Sequence, residues 1–492
     1  MQPSGLASTA PYLAWHARHT PDAVAIVEDG RQVDYRRFAE DLVRCTRALE
    51  QRGVGPGLLV GIEVLRHRYL HLLLLLACEV AGATTVSVTQ QDVAGNDPVV
   101  RDCEILLMGR ASERAGEARW QIVSGDWLAG VATMTVRPRD LDVLLREVAP
   151  DRSVRIFRTS GTTGRPKAMA VSRAIQQRIV ERHMDRVAPD TIPRTRSLCL
   201  YNLAVRAVHV RVLGVLQRGG TVLFAKEEHA APLFGAGLVN HAMFTVGDAE
   251  RIVLQAVPPP PGHRMHVELV GASVGKALRR LIEERLGARI STRYSSNETN
   301  VIAATDEDNI GTLCPGVAVR IVDAAGHDRP PGETGLIRVR TDTMVDGYLH
   351  DPAATAAAFI DGWYHTNDEG YMPEPGRLVV LGRADDMLNI GGVKLAPAPL
   401  EAMIRQIPDV SDAALISVNG TSEVTALLVA VELATDRIPA DLAARLRAIL
   451  TPYVRHFVIV PLRWFPRTET GKVRRPEIRD GFLRHREQRD AP

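Results

Sequence analysis

Residues 157–167, FRTSGTTGRPK, form the most distinctive stretch of this 492-residue chain. They hold two glycines, several hydroxyl side chains and one lysine, and they follow an apolar segment at 154–158 that predicts a β-strand. Glycines let backbone N–H groups converge on an anion, hydroxyls add donors and Lys167 adds charge, so phosphate oxygens are the expected ligand. The stretch is not a Walker A loop, because Pro166 precedes the lysine and Ala168 follows it. On composition alone, a plain surface turn is the alternative.

The segments on either side of this stretch alternate between helix and strand. Apolar residues at helical spacing predict helices at 35–51, 72–80, 208–217 and 273–286, and one that begins at residue 173. Short apolar runs predict strands at 58–64, 83–88 and 221–225. This alternation predicts a parallel sheet covered by helices on both faces.

The pattern of predicted secondary structure changes twice further along the chain. From about residue 311, short alternating segments separated by Gly and Pro predict a smaller β-rich subdomain. Beyond residue 383 the pattern becomes helix, strand, strand and helix, at 399–406, 412–418, 425–432 and 440–450. The sequence therefore predicts an α/β protein with a large N-terminal domain at 1–384 and a small α+β domain at 385–492.

Composition excludes several classes of protein and partner. Hydrophobic residues at 45% and charged residues at 24% are typical of a globular chain, and a net charge of +2 favours neither nucleic acid nor an anionic membrane. The longest apolar run, at 72–78, is far below the roughly 20 residues that span a bilayer. Five scattered cysteines and the lack of a signal-like start indicate a cytoplasmic protein.

Lysine is rare in this chain, with five residues against 55 arginines. A lysine in a Gly- and Thr-rich context is therefore a chemical choice more often than in other proteins. Gly271 to Lys276, GASVGK, resembles a P-loop, but it has only three residues between its glycines and no hydroxyl after the lysine. A strand end turning into a helix is the better interpretation.

Four further stretches carry groups suited to nucleotide chemistry. An aromatic ring precedes a carboxylate at 294–299, YSSNET, and a loop aspartate lies at 363–370, WYHTNDEG. An arginine stands at 381–386, LGRADD, and a lysine follows glycine at 466–475, PRTETGKVRR. Each stretch alone is equally explained as a polar loop or a solvated basic tail.

Taken in order, these stretches resemble the core motifs of the adenylate-forming superfamily, which includes acyl- and aryl-CoA synthetases, luciferase and peptide-synthetase adenylation domains. The resemblance extends from about residue 10 to about residue 480. It implies that a small carboxylic acid is joined to ATP with release of pyrophosphate, and that the acyl-adenylate then meets a nucleophile. It also implies a mobile C-terminal domain that rotates about a hinge at Asp385.

The resemblance assigns roles residue by residue. It implies that Glu298 ligates Mg²⁺, Tyr294 lies against adenine, Asn297 faces the α-phosphate, and Asp368 binds the ribose with Arg383 alongside. Lys472 would reach from the small domain to the carboxylate and the α-phosphate. The ATP phosphates are assigned to the loop residues Thr159, Ser160, Gly161, Thr162, Thr163, Gly164 and Lys167.

The stretch at 389–401, NIGGVKLAPAPLE, resembles the strand that CoA ligases turn into the pantetheine tunnel. Gly391, Gly392 and Lys394 are the implied tunnel residues, and CoA is the first choice of acceptor. The alternatives are an amine or the phosphopantetheine of a separate carrier protein. A catalytically silent nucleotide- or acyl-binding homologue is a further alternative.

The expected acyl pocket departs from the family pattern. Residues 200–206, LYNLAVR, lack the usual Pro–aromatic–His, and Ala204 stands near the histidine position. The motif at 295–298 reads SSNE, and Asn367 replaces a glycine before Asp368. The small or apolar walls permit an aromatic or medium-length acid, and the implied pocket residues are Asn202, Arg206, Val270, Gly271 and Ala272. Arg206 and His209 either pair with a polar substituent of the substrate or are ordinary surface groups.

Overall fold

The computed structural model describes residues 5–63, 67–95, 97–109, 120–123, 125–159, 166–187, 194–271, 274–384, 388–390, 393–395, 397–419, 425–433, 435, 437–454, 456–467 and 473–490. These residues form a large sheet-rich body and a smaller C-terminal domain, which confirms the predicted fold class. No helix in the described ranges is long and apolar enough to cross a membrane.

The first part of the chain alternates helix and strand as predicted. Its elements are α1 (Thr9–His19), β1 (Val24–Glu28), β2 (Arg31–Asp34), α2 (Tyr35–Gln51), β3 (Leu59–Glu63), α3 (Arg68–Val80), β4 (Thr84–Val88), α4 (Gln90–Ala94), α5 (Pro98–Arg101), β5 (Ile105–Met108), β6 (Trp120–Ile122), α6 (Gly125–Thr133), β7 (Ser153–Arg158), β8 (Ala168–Ser172) and α7 (Arg173–Val187). Strands β6-β5-β3-β4-β7-β8 form one sheet in that order, parallel except for the antiparallel β7–β8 hairpin.

The next segment supplies the parallel centre of a second sheet. Its elements are β9 (Arg196–Cys199), α8 (Arg206–Gln217), β10 (Thr221–Phe224), α9 (Ala230–Gly235), β11 (His241–Thr245), α10 (Val246–Gln255), β12 (Met265–Val270) and α11 (Lys276–Leu286). Helix α11 begins at Lys276, so the predicted start at residue 273 is wrong. The Lys276 ammonium is a surface group, 2.9 Å from an Asp308 carboxylate oxygen.

The β-rich segment extends this second sheet. Its elements are β13 (Ala288–Ser296), β14 (Asn300–Thr305), β15 (Ile310–Leu313), β16 (Val317–Val322), β17 (Gly335–Thr341), α12 (Pro352–Ala358), β18 (Phe359–Ile360), β19 (Trp363–Tyr371) and β20 (Arg377–Arg383). Strand β13 pairs parallel to β12 and antiparallel to β14, so it joins the two halves. The strand order is β16-β17-β19-β20-β15-β14-β13-β12-β11-β9-β10-β1-β2.

The C-terminal elements follow the predicted helix, strand, strand and helix, with additions at both ends. They are β21 (Leu388–Ile390), β22 (Val393–Leu395), α13 (Pro397–Ile404), β23 (Val410–Asn419), β24 (Thr425–Leu433), α14 (Leu442–Leu450), β25 (Phe457–Leu462) and α15 (Arg475–Asp490). Strands β23, β24 and β25 form a separate three-stranded sheet with its own apolar cluster.

Helix α8 lies at the centre of the body. All but one of its twelve residues are buried, two arginines and a histidine included, so the helix is enclosed between layers. Its side chains share one core cluster with α1, α2, α3 and strands of both large sheets. All five cysteines are buried and carry free thiols.

Candidate active site

The β7–β8 hairpin fixes both ends of the glycine- and hydroxyl-rich loop. The Thr159 backbone N–H donates to the Lys167 carbonyl at 2.8 Å, and the Lys167 N–H donates to the Thr159 hydroxyl at 3.3 Å. Ser160, Gly161, Thr162, Thr163 and Gly164 lie outside the described residues. Because the hairpin closes at Thr159 and Lys167, the loop leaves the sheet and returns to it at one point.

The Lys167 side chain is held by an aromatic ring. Its Nζ lies 4.5 Å from the centre of the Tyr348 ring, a cation–π contact. Tyr348 reaches this place because the N–H of the next residue, Leu349, donates to the Ala168 carbonyl at 2.8 Å. Within the described ranges no carboxylate lies in salt-bridge distance of Lys167, so its charge is available to an anion.

Glu298 occupies the turn between β13 and β14 and is only 7% exposed. Its carboxylate accepts a hydrogen bond from the Tyr348 hydroxyl at 2.9 Å, and the Tyr364 hydroxyl belongs to the same group. Burial and the Glu298 charge raise the pKa of Tyr348 above its usual value, so the phenol stays a donor. The Val345 N–H fixes the turn by donating to the Glu298 carbonyl at 3.0 Å.

Tyr348 therefore connects Lys167 to Glu298, and sequence reasoning missed it. The side chain lies 50 residues from Glu298 along the chain, in a stretch without a recognised motif. The available signal was a single aromatic residue after Gly347 in the polar stretch 341–347.

A second group of predicted residues brings together side chains from β13, β19 and β20, although β15 and β14 lie between β20 and β13 in the sheet. The Tyr294 hydroxyl donates to the Asp368 carboxylate, and burial together with that carboxylate raises the pKa of Tyr294. Strand register places Asp368 opposite Arg383, whose Nε lies 3.7 Å from Asp368 Oδ1. Asn367 adopts a φ of 59°, a left-handed conformation that asparagine tolerates, which explains how it replaces a glycine.

Asn297 immediately precedes Glu298 and is exposed at the same turn. Its side chain is therefore presented from the strand end that carries Tyr294. The structure thus brings the predicted residues Tyr294, Asn297 and Glu298 to one place on the sheet.

The segment before α8 contains residues that the family resemblance assigns to the wall of an acyl pocket. The Asn202 side chain accepts from the Ala204 N–H at 2.6 Å, so it shapes the turn itself. Val270 ends β12, Gly271 follows with a φ of 98°, and Ala272 lies outside the described residues. Arg206 and His209 are 5% and 2% exposed, so the surface alternative for both is wrong.

The predicted hinge, CoA-tunnel and C-terminal catalytic residues lie mostly outside the described ranges. These are Asp385, Gly391, Gly392 and Lys472; for Lys394 the structure describes the backbone, which pairs with Asn389 between β22 and β21. Arg467 and Val473 pair in an isolated antiparallel β-bridge.

The residues fit a magnesium ion bound together with nucleotide phosphates. Mg²⁺ in such sites takes one or two carboxylates and completes its shell with phosphate oxygens and water. Glu298 supplies one buried carboxylate near the hydroxyl-rich loop. The described part of the chain contains no group of three His, Cys, Asp or Glu side chains arranged to hold an ion by themselves.

Known proteins are similar to this chain over almost its whole length. The chain is 26% identical to 4-chlorobenzoate–CoA ligase from Arthrobacter sp., over 98% of this chain and 96% of that protein. It is 24% identical to the fatty acid–acyl-carrier-protein ligase ScoC from Streptomyces coeruleorubidus, with 95% of each chain covered. A solved structure of O-succinylbenzoate coenzyme A synthetase (MenE) from Bacillus subtilis, in complex with ATP and magnesium ion, superposes with a TM-score of 0.79 at 18% identity, covering 95% of this chain and 98% of that chain.

The family model for AMP-binding enzymes matches residues 13–349, which is well over half of the chain. This range holds the hairpin loop, Lys167, Tyr294, Glu298 and Tyr348. The chain therefore belongs to the family of AMP-binding enzymes and is an AMP-forming ligase of the adenylate-forming superfamily.

Proposed function

We propose that this enzyme activates a small carboxylic acid and transfers its acyl group to the thiol of coenzyme A. In the first step, a carboxylate oxygen of the acid attacks the α-phosphorus of ATP. A new P–O bond forms, the bond to pyrophosphate breaks, and pyrophosphate leaves with the bonding electrons. In the second step, the thiol sulfur attacks the acyl carbon, AMP leaves and the thiol proton passes to solvent.

The observation that supports the first step is the linked set Lys167, Tyr348 and Glu298. The Tyr348 ring contacts the Lys167 ammonium, and the Tyr348 hydroxyl donates to the Glu298 carboxylate. Lys167, with the loop residues 160–164, would bind the β- and γ-phosphates. Tyr294 would lie against adenine, Asn297 would face the α-phosphate, and Asp368 with Arg383 would bind the ribose.

Glu298 would hold Mg²⁺, which supplies positive charge to offset the repulsion between two anionic reactants. Lys472 would bring a second compact cation to the carboxylate and the α-phosphate. Such preorganised donors typically contribute about 10²–10³ in rate. Lysine suits both positions because its ammonium is a point charge on a flexible stem, whereas guanidinium is a rigid fork.

The small domain would begin at Asp385 and rotate there between the two half-reactions. Gly391, Gly392 and Lys394 would line the path of the CoA arm.

A CoA ligase among the relatives supports this acceptor, and the carrier-protein ligase supports the alternative of a carrier-bound thiol. An amine acceptor is the third possibility, and a silent homologue the fourth. Five buried thiols without disulfides suit a reducing cytoplasm.

The test is a pyrophosphate-release assay with ATP, Mg²⁺ and a panel of carboxylic acids, run without acceptor and with CoA, hydroxylamine, simple amines or a phosphopantetheinylated carrier protein. Adenylation predicts pyrophosphate release that depends on the acid. Transfer to CoA predicts acyl-CoA and AMP in equal amounts, with turnover accelerated by CoA alone. Preferential acceleration by an amine or by the carrier protein would replace CoA as the acceptor. Nucleotide binding without pyrophosphate release across the panel would favour the silent homologue.

A further inference from the structure

Arg206 is a buried cation whose guanidinium forms no hydrogen bond to the described residues. It is the first residue of α8, it is 5% exposed, and none of its three guanidinium nitrogens has a hydrogen-bond partner in the described part of the chain. Five residues later on the same helix, Arg211 is equally buried. Its guanidinium binds the Glu268 carboxylate through Nε at 3.1 Å and Nη2 at 2.7 Å. The fold therefore neutralises one arginine of α8 and leaves the other bare.

The same contrast holds for the other buried arginines in the described ranges. Arg44 binds Glu40 and Asp41, Arg155 donates to the Ser87 hydroxyl at 2.6 Å, and Arg279 donates to the Asp306 carbonyl at 3.0 Å. Of these buried arginines, only Arg206 has all three nitrogens unpartnered. Burying a charge without a partner is strongly unfavourable, so such a group implies a ligand that completes it.

The position of Arg206 on its helix strengthens this implication. Backbone N–H groups at a helix N-terminus carry partial positive charge, so an arginine there is placed against the helix dipole. Burial lowers the pKa of Arg206 to about 10, although the Glu298 charge opposes that change. At neutral pH the guanidinium is therefore still charged, in a place where two sources of positive potential add. An anion is the complementary ligand.

A second polar atom without a hydrogen-bond partner lies one turn further along α8. His209 is 2% exposed, its Nδ1 has no hydrogen-bond partner among the described residues, and its ring meets the Phe157 ring edge-on with centres 5.6 Å apart. The Arg206 guanidinium carbon lies 5.8 Å from the centre of the same Phe157 ring. Arg206 and His209 therefore share one aromatic neighbour on one side of the helix, about 4.5 Å apart along its axis.

Arg206 and His209 follow each other along α8, so together they indicate a binding site for a group other than the carboxylate that reacts with ATP. The carboxylate that is activated must lie next to the α-phosphate, beside Asn297 and Glu298. His209 continues the polar lining by a further helical turn, so the acid substrate is expected to carry a polar group there as well. At Gly271, the predicted pocket residue after β12, an added side chain would meet no atom of the described residues within 4 Å.

We infer that the substrate is an acid with a second anionic group, held by the Arg206 guanidinium and by His209 against Phe157. The inference rests on the proposed function and narrows its substrate class from carboxylic acids to diacids. A carboxylate fits best, because a guanidinium donates two parallel hydrogen bonds to it. When the bound acid lacks a second anionic group, the Arg206 guanidinium is left without an anion to bind. The enzyme is therefore expected to discriminate against monoacids of the same length.

The test compares matched acids in the pyrophosphate-release assay: butyrate with succinate, hexanoate with adipate, and benzoate with terephthalate. At least one diacid is expected to exceed its monoacid partner by about 10² or more in kcat/KM, since a site built for a polar group rejects analogues that lack it. Arg206→Met keeps the length of the side chain and removes its charge. It should lower kcat/KM for that diacid by about 10² and leave the monoacid within about threefold.

Two further variants separate charge from structure. Arg206→Lys retains the charge without the fork and should restore part of the diacid activity. Arg280→Met removes an exposed arginine on α11 and should change neither preference nor melting temperature. Arg206→Met itself should melt at the same temperature as the wild type or above it, because an unpartnered buried charge has been removed.

Each other result overturns the inference. Equal use of mono- and diacids by the wild type refutes it and leaves the proposed function standing. A uniform loss for all acids in Arg206→Met means that Arg206 serves the reacting carboxylate or ATP instead. If no acid releases pyrophosphate, the proposed function fails, and the melting temperature in the presence of each acid becomes the test of the anion site. A melting temperature that diacids raise in the wild type but not in Arg206→Met supports the site. The same response in both proteins refutes it.

Discussion

Tyr348 is the residue on which the geometry of the candidate site depends. Its ring holds the Lys167 ammonium and its hydroxyl donates to Glu298, so one side chain sets the distance between a cation and a carboxylate. A residue with both roles cannot be read from a motif, because the two partners lie far from it in sequence. Glu298 and Lys167 were predictable from their motifs; the residue between them was not.

The first prediction concerns Glu298 and its hydroxyl partner. Glu298→Gln should reduce adenylate formation by at least about 10², because the amide replaces the charged magnesium ligand. Tyr348→Phe should cost about 10-fold and raise the Mg²⁺ concentration needed for half-maximal rate, since partners of metal ligands typically contribute 10–100-fold. Acid-dependent ATP–pyrophosphate exchange at varied Mg²⁺ measures both. The exposed Tyr453→Phe is the control, and an unchanged Mg²⁺ dependence in Tyr348→Phe would contradict the assignment.

The second prediction concerns Lys472, the lysine proposed to reach the carboxylate and the α-phosphate. Lys472→Ala should reduce adenylate formation by at least about 10², because a donor aimed at developing charge is lost. Thioester formation from presynthesised acyl-adenylate should proceed at a near-normal rate. Rapid-quench measurement of each half-reaction separates the two. Equal impairment of both half-reactions would remove Lys472 from the role proposed for it.

Arg206 illustrates why burial is hard to predict residue by residue. Arginine is mostly exposed in folded proteins, and this chain has 55 of them, so nothing local distinguishes the buried ones. The distinguishing information is that α8 is buried on all sides and lies between two sheets. Burial of Arg206 is therefore a property of the element and becomes visible only once the element is placed.

At the scale of elements, type and order were predictable, whereas neighbours were not. Helix α2 has its apolar residues at helical spacing and an N-terminal cap, in which the Asp34 carboxylate accepts from the Arg37 N–H at 2.7 Å. Local spacing does not reveal that β1 pairs with β10 or that β13 pairs with β12. Those pairings join segments distant in sequence, and they are decided by packing across the whole body.

Tyr35 ties such distant elements together, which gives the third prediction. Its hydroxyl, at the start of α2, donates to the carbonyls of Leu216 at 3.1 Å and Gly220 at 2.7 Å, at the end of α8 and before β10. Tyr35→Phe leaves two buried carbonyls without this donor and should destabilise the body by about 1–3 kcal/mol. Urea unfolding followed by intrinsic fluorescence measures the loss. A variant as stable as the wild type would show that water replaces the hydroxyl.

At the scale of the whole molecule, buried neutral histidines make the free energy of unfolding depend on pH. His71 donates to or accepts from the Ser87 hydroxyl at 3.0 Å, and burial lowers its pKa to about 3; burial also lowers the pKa of His266 to about 4. Above the unfolded value of about 6.5 these groups are neutral in both states. Below it, the unfolded chain takes up protons that the folded chain refuses, so stability falls as pH falls.

The fourth prediction isolates one of these groups. Between pH 6.5 and about pH 4, His71 should contribute a loss of about 1.4 kcal/mol for each pH unit. The side chain in His71→Gln still forms hydrogen bonds but does not titrate. The free energy of unfolding of this variant should therefore fall less steeply with decreasing pH, by about 1.4 kcal/mol for each pH unit. Glu79, whose pKa burial raises to about 7, acts in the opposite direction, and it does so in both proteins. Parallel curves of stability against pH for the two proteins would show that His71 is protonated in the fold.

The burial of all five native thiols has a practical consequence for following motion in this enzyme. Burial raises the pKa of Cys45 to about 12 and that of Cys199 to about 11, so these sulfurs resist alkylation while the protein is folded. A maleimide dye should therefore react only with cysteines introduced on the surface, and no cysteine-free background is needed. Leu145→Cys lies in the N-terminal body and Trp464→Cys in the C-terminal domain, both at exposed positions. Energy transfer between dyes at these sites would report whether ATP, acid and CoA each change the distance between the body and the domain.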